Sequence, residues 1–285
     1  MNHAQGELET GNASRWMQYS RAFAGLFLRD LHVLRREILP FIVRMCMNPL
    51  LFLFVFTYVI PHISGGAGAG MNPTAAMAGN AFSTVLLPGL MAVAIMVSGI
   101  AAVALPLSQE FGVTREIDDR VMCPLPVAAV AIEKICFSAV QSAIAACVVF
   151  PLAYYIPVTH PAAHIDSWPF FIVVLILASL TAGALGLTIG TNVKPQQIGL
   201  IFSVIVIPIT FLGCIYYPWA ALTHIRWLQI GVLVNPIVYM SEGLRAAVTP
   251  SLPHMNPALI LALLTGFLIL LTTLGIKGFL RRVIG

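Results

Sequence analysis

The sequence predicts an all-α integral membrane protein: six transmembrane helices, an N-terminal amphipathic interfacial helix, and a re-entrant outer segment before the last span. Three observations predict it. Of the 285 residues, 59% are hydrophobic and 9% are Asp, Glu, Lys or Arg, against roughly 25% charged in an average soluble domain. A soluble fold of this length could not cover its surface with so few polar groups. The charges are also segregated. Residues 45–109 carry none, 135–193 carry only Asp166, and 195–276 carry only Arg226, Glu242 and Arg245. Finally, thirteen of the 15 Lys and Arg residues fall before or near the start of the first apolar run, on alternate connections between the later runs, or at the C-terminal end.

In chain order, residues 1–14 read as a polar tail, 15–38 as the interfacial helix and 39–285 as the transmembrane domain. Along 15–38, Trp16, Tyr19, Phe23, Leu26, Phe27, Leu31 and Leu34 recur at three- and four-residue steps, with Arg21, Arg29, Arg35 and Arg36 mostly elsewhere. Such a helix lies in the headgroup layer, held by apolar burial and attraction to anionic lipid. The same basic residues and Asp30 interrupt the stretch too often for a signal-peptide core. The N-terminus is therefore expected to stay attached.

The spans are predicted at 39–61, 84–107, 135–156, 168–191, 197–217 and 257–276. Each is a run of about 20 mostly apolar residues, enough to cross roughly 30 Å of hydrocarbon as a helix. Arg15, Arg21, Arg29, Arg35, Arg36, Arg44, Arg115, Arg120, Lys134, Lys194, Lys277, Arg281 and Arg282 share one side, and only Arg226 and Arg245 lie on the other. The positive-inside rule makes the first side, with both termini, cytoplasmic. In the fourth span Ala182, Gly186 and Gly190 are spaced by four, a small-residue ridge that lets another helix approach closely.

Two connections are more than linkers. The cytoplasmic loop 108–126 concentrates charge in Glu110, Arg115, Glu116, Asp118, Asp119 and Arg120. Thr114 can cap a short helix there, with acidic residues in its first turn, and Pro124 and Pro126 end it. Ile117, Val121 and Met122 add an apolar side, so the helix suits docking into a groove on another protein; a solvated linker is the alternative. The second is 218–250, which follows Tyr216-Tyr217-Pro218 and contains Trp219, Trp227, Asn235-Pro236, Tyr239, Glu242 and Arg245. Its two apolar stretches are too short to cross the bilayer, and interrupted, aromatic-rich helices of this kind dip into one leaflet and return. Glu242 and Arg245 lie three apart on one helical face and can pair locally; the alternative is that Glu242 lines the exit or meets substrate.

No G-x-x-x-x-G-K-[ST] phosphate loop and no H-E-x-x-H occurs, and the five cysteines show no paired spacing. No cofactor and no metal is therefore expected in this chain. Without a polar basic surface, nucleic acid is excluded as a partner.

Taken together, the Arg115-Glu116-Ile117-Asp118-Asp119-Arg120 stretch leading to Pro124-Leu125-Pro126, and the stretch from Phe211-Leu212-Gly213 through Tyr217-Pro218 and Asn235-Pro236 to Tyr239 and Glu242-Gly243-Leu244-Arg245, resemble the permease subunits of type-2 ATP-binding-cassette exporters. Members of that family export drugs, lipids, lipid-linked glycans or nodulation factors. The resemblance implies that the first stretch, with Glu110, is the coupling helix seated on an ATPase subunit, which binds the ATP. It implies that Tyr217, Asn235, Pro236, Tyr239, Glu242 and Arg245 belong to re-entrant helices closing an outer vestibule. It further implies a second permease copy or paralogue, contact with membrane lipid, and outward movement of an amphiphilic substrate across a bacterial-type plasma membrane. An ion-gradient-driven secondary transporter is the competing class; it would need an ionisable group near mid-bilayer, and only Glu242 with Arg245 comes close.

Overall fold

The computed structural model describes residues 2–59, 80–111, 126–155 and 163–284, and among them the chain is helical with no strand. Helix α1 (Asn2–Arg36) meets α2 (Ile38–Leu53) at Glu37, whose backbone N–H donates to the carbonyls of Val33 and Leu34. α2 holds Pro49, which lacks an N–H and crowds the preceding turn, and it runs on as wider, π-type helix over Phe54–Val59. Three long helices follow, α3 (Asn80–Gln109), α4 (Val127–Tyr155) and α5 (Trp168–Asn192). α6 extends over Ile198–Phe211 with a π-type turn at Phe202–Val206. After a 3-10 turn (Trp219–His224) come the short α7 (Arg226–Gly231), α8 (Pro236–Val248) and the long α9 (Pro257–Ile284).

Among the described residues, four helices are long and apolar enough to cross a membrane: Thr84–Gln109, Val127–Ala153, Trp168–Asn192 and Pro257–Val283. At 25 to 27 residues each, they rise about 38–40 Å, more than the roughly 30 Å of hydrocarbon. The first and fifth predicted spans correspond to shorter apolar helices, Ile38–Leu53 and Ile198–Phe211. The helix predicted to reach 217 stops at Phe211 for a visible reason. Leu212 and Gly213 close the last turn on the Pro208 and Thr210 carbonyls, and Cys214 takes a left-handed backbone conformation (φ 53°). Gly213 is pressed so closely to α8 that a Cβ there would lie 2.5 Å from Ile237 Cγ2. The chain leaves the helix to pack between α8 and α3: Cys214 is buried with Val238, and Ile215 is buried with its backbone against Gly89.

Other boundaries shift less. α1 is helical from Asn2, through the predicted tail; α4 starts at Val127 instead of 135; α9 runs to Ile284, past the predicted end at 276. The apolar face predicted to lie in the headgroup layer packs against the bundle instead, over the residues described. Tyr19, Phe23 and Leu26 lean on a cluster of Val130, Ala131, Leu107 and Phe279, while Leu34 is buried with Phe41. Arg21, Arg29, Arg35 and Arg36 are exposed.

α3 is the axis of the bundle, packed against α4, α5 and α8 and buried without interruption over 84–96. The small-residue ridge of α5 is what lets it come so near. Cβ atoms built at Gly186 and Gly190 would lie 2.9 Å from Ile100 Cα and 3.1 Å from Ala104 Cα, and one on Gly99 would lie 2.6 Å from the Cβ of Ala182. The ridge formed by Ala182, Gly186 and Gly190 therefore meets α3 of its own chain. Gly186→Leu is expected to force these two backbones apart and to destabilise the protein by about 1–3 kcal/mol. Gly266→Ala on α9, where nothing lies within 4 Å of the added carbon, should leave the melting temperature in detergent unchanged or slightly raised. Equal melting of the two variants would contradict this packing.

Candidate functional site

The ends of the bundle and one lengthwise groove hold the functional candidates. We call base the end where α3 and α5 finish and α4 begins, and top the opposite end.

At the base, Glu110 follows α3 directly and Lys134 sits two turns into α4. Lys134 Nζ donates to Glu110 Oε1 at 2.9 Å, and both side chains are 7% exposed. Glu110, predicted among the docking charges, is thus turned into the bundle and ties together the two helices that carry the loop. Phe111 is held as well. It stands edge-on to Phe279 of α9, with ring centroids 6.0 Å apart, and the Arg282 guanidinium lies 5.0 Å from its ring centroid. Arg282 in turn donates to the carbonyl of Val193 at 2.7 Å and, more weakly, to that of Gly190 at 3.4 Å. Those carbonyls end α5, where a helix leaves acceptors unfilled and its dipole favours a cation. The root of the loop is therefore pinned to α4, α5 and α9. The other predicted docking residues, Arg115, Glu116, Asp118, Asp119 and Arg120, lie outside the described residues.

At the top, the structure brings all six predicted gate residues into one assembly. Asn235 caps α8: its Oδ1 accepts from the Ile237 N–H (3.1 Å), and its Nδ2 donates to the Ile209 carbonyl of α6 (2.6 Å). Pro236 occupies the first helical position, where the missing N–H costs nothing. The Tyr239 hydroxyl donates to the Leu233 carbonyl at 2.8 Å, its ring lying against Phe267. Tyr217 packs half-buried over the cluster of Cys214, Leu222, Val232 and Val238. One turn further, Glu242 and Arg245 are both wholly buried and form an ion pair. The Glu242 carboxylate also accepts from the Trp219 N–H (2.8 Å) and the Met255 N–H (3.1 Å), and Arg245 Nη2 donates to the Cys214 carbonyl (3.0 Å). Ser241 donates to the Gly213 carbonyl at 2.7 Å. The pair thus fastens three segments, 213–219, α8 and the approach to α9, with its acceptors turned inward.

The third feature was not read from the sequence. Between α2 and α3 runs a groove of three contiguous cavities, closed by α1 and α4 at its lower end and by α6 at its upper end. The one nearest the base, about 500 Å³, is lined by Glu37, Arg44, Ser98, Gln109 and Gln141 among others. A middle one of about 180 Å³ shares Arg44, Met45, Ala101 and Leu105 with it, and shares Pro49, Val93 and Val97 with an upper one of about 490 Å³ that reaches Phe52, Phe202 and Tyr216. The available signal was Arg44, a lone cation inside the first apolar run. Among the described residues, no three His, Cys, Asp or Glu side chains gather where a metal could be held.

The family model described as ABC-2 type transporter matches residues 23–249, from the middle of α1 to just past the end of α8. No curated protein matches the chain.

Proposed function

The chain belongs to the ABC-2 type transporter family, and from that premise we propose that it is the permease subunit of an exporter that carries an amphiphile outward across a bacterial-type plasma membrane, with ATP hydrolysed by a separate subunit. The observation that carries this reading is the groove. It runs lengthwise beside the central helix, is polar near the base and is walled by apolar side chains above, as an amphiphile requires. In this reading α2 with its π-type extension and α6 are the two remaining spans, and 218–250 is the re-entrant outer segment. The base is then cytoplasmic, which agrees with where the Lys and Arg residues lie. A second copy of the permease would face the open side of the groove. Leu200, Val204, Ile207 and Phe211, at helical spacing on α6, form an exposed apolar stripe beside it. The loop 108–126 would seat on the ATPase, and the pinned root at Glu110 and Phe111 would pass its movement to α4, α5 and α9 together.

Purified alone, the protein is expected to hydrolyse no ATP. In inverted vesicles, movement of a fluorescent amphiphile should require a co-expressed ABC ATPase and should continue when a protonophore collapses the proton gradient. Transport that persists without the ATPase and stops with the protonophore would establish the ion-gradient-driven class instead.

A further inference from the structure

The groove differs along its length in whether its polar groups are already used. In the upper cavity the Ser203 and Thr210 hydroxyls donate back to carbonyls of their own helix, at 2.9 and 2.6 Å, so the wall offers a ligand little beyond apolar surface. The cavity nearest the base is the reverse. The Ser98 side chain is 1% exposed and its hydroxyl has no hydrogen-bond partner, although it lines the cavity. A buried hydroxyl without a partner loses hydration and gains nothing for it. Arg44 has no ion-pair partner among the described residues, yet it lines both the basal and the middle cavity. Arg44 is exposed, so the open groove reaches it, and a cation two turns inside an apolar helix favours an anion beside it. Gln109 and Gln141 add amide groups to the same wall. Glu37, the one carboxylate on the cavity, is exposed and lies seven residues before Arg44, about 10 Å lower along the helix. The two form no ion pair.

We propose that Arg44 and Ser98 form the headgroup seat of this groove, and that its ligand is an amphiphile with an anionic phosphate or carboxylate head, its apolar tail lying along Pro49, Val93 and Val97 toward Phe52 and Tyr216. Arg44 to Phe52 spans about 12 Å of helix, which accommodates an alkyl tail. The assignment rests on the permease reading for its meaning as cargo, but the seat itself is read from the side chains.

The test uses the full chain in phosphatidylcholine nanodiscs and a dodecyl phosphate carrying a diazirine at the tail end, with crosslinks mapped by mass spectrometry. Labelling should fall on the walls of the middle and upper cavities. Half-saturation should weaken about ten-fold in Arg44→Gln, because a charge-assisted contact is lost, and return most of the way in Arg44→Lys. Ser98→Ala should weaken it a few-fold. Inorganic phosphate and dodecyltrimethylammonium at matched concentrations should not displace the probe. Equal labelling of the wild type and Arg44→Gln, or displacement by the cationic amphiphile, would overturn the anionic seat while leaving the permease reading intact. Displacement by inorganic phosphate alone would make this a site for a free anion and overturn the amphiphile. Arg44-dependent labelling in a protein whose transport ignores the ATPase would keep the seat and remove the exporter.

Discussion

Arg245→Met is expected to destabilise the purified protein by about 3–5 kcal/mol, the cost of removing one partner of a buried ion pair. Glu242 would remain a wholly buried carboxylate with only the Trp219 and Met255 N–H groups to stabilise it, and the Cys214 carbonyl would lose its donor. Cys214, the one non-glycine residue with positive φ among the described residues, would then hold its left-handed conformation without that tether. The double variant Glu242→Gln with Arg245→Met should recover part of the loss. Its amide oxygen still accepts one backbone N–H, and no charge is left buried without a counter-charge. Denaturant unfolding in detergent, followed by tryptophan fluorescence, measures this directly because Trp219 sits in the assembly. Unfolding of Arg245→Met at the wild-type midpoint would mean that the clasp does not hold the top together.

Reversing Glu116 and Asp118 to Lys together is expected to abolish co-purification of the ATPase while leaving the melting temperature of the permease unchanged. If these charges pair with the ATPase surface, reversal costs roughly 2–5 kcal/mol of docking energy when the contact is buried, and less when it is exposed. The bundle should be spared because the loop is anchored where it leaves α3, by Lys134 on Glu110 and by Phe279 and Arg282 on Phe111, and that root is not touched. A double variant that keeps its ATPase and its transport would make the loop a solvated connector and move the contact to α1.

Much of this was legible beforehand. The apolar periodicity of 15–38 marked one face of a helix, assigned to the headgroup layer, but Tyr19, Phe23 and Leu26 of that face lie against the bundle, because periodicity does not say whether lipid or protein covers an apolar face. The small-residue ridge marked a close approach, and Asn235-Pro236 marked a helix start by its cap and by a proline where no N–H is needed. The resemblance to a family grouped Tyr217, Asn235, Pro236, Tyr239, Glu242 and Arg245 as an outer closure; the structure shows that they lie together around α8, not what they close. The fifth predicted span was placed too far at its end because hydropathy registers that 212–217 is apolar without saying whether lipid or protein covers it. Glu110 was grouped with the docking charges because it adjoins them in sequence, and adjacency does not say which way a carboxylate turns.

Composition and the placement of charge determined by themselves that this is a helical membrane protein, which connections carry the basic residues, and where its unusual loops fall. The reason is physical: a bilayer imposes one requirement on every residue at a given depth, so it leaves a pattern that can be read along the chain. What only the tertiary structure decided is how each exceptional polar group is satisfied. The donors to Glu242 lie 3, 13 and 23 residues away, Lys134 is 24 from Glu110, and the carbonyls that hold Arg282 are 89 and 92 residues distant. Periodicity reports the face of a single helix and so pointed to Glu242 with Arg245, whereas the other partners of these charges stand on other elements. Only packing could separate Glu242 and Arg245, which close the top upon each other, from Arg44, which is left facing a groove.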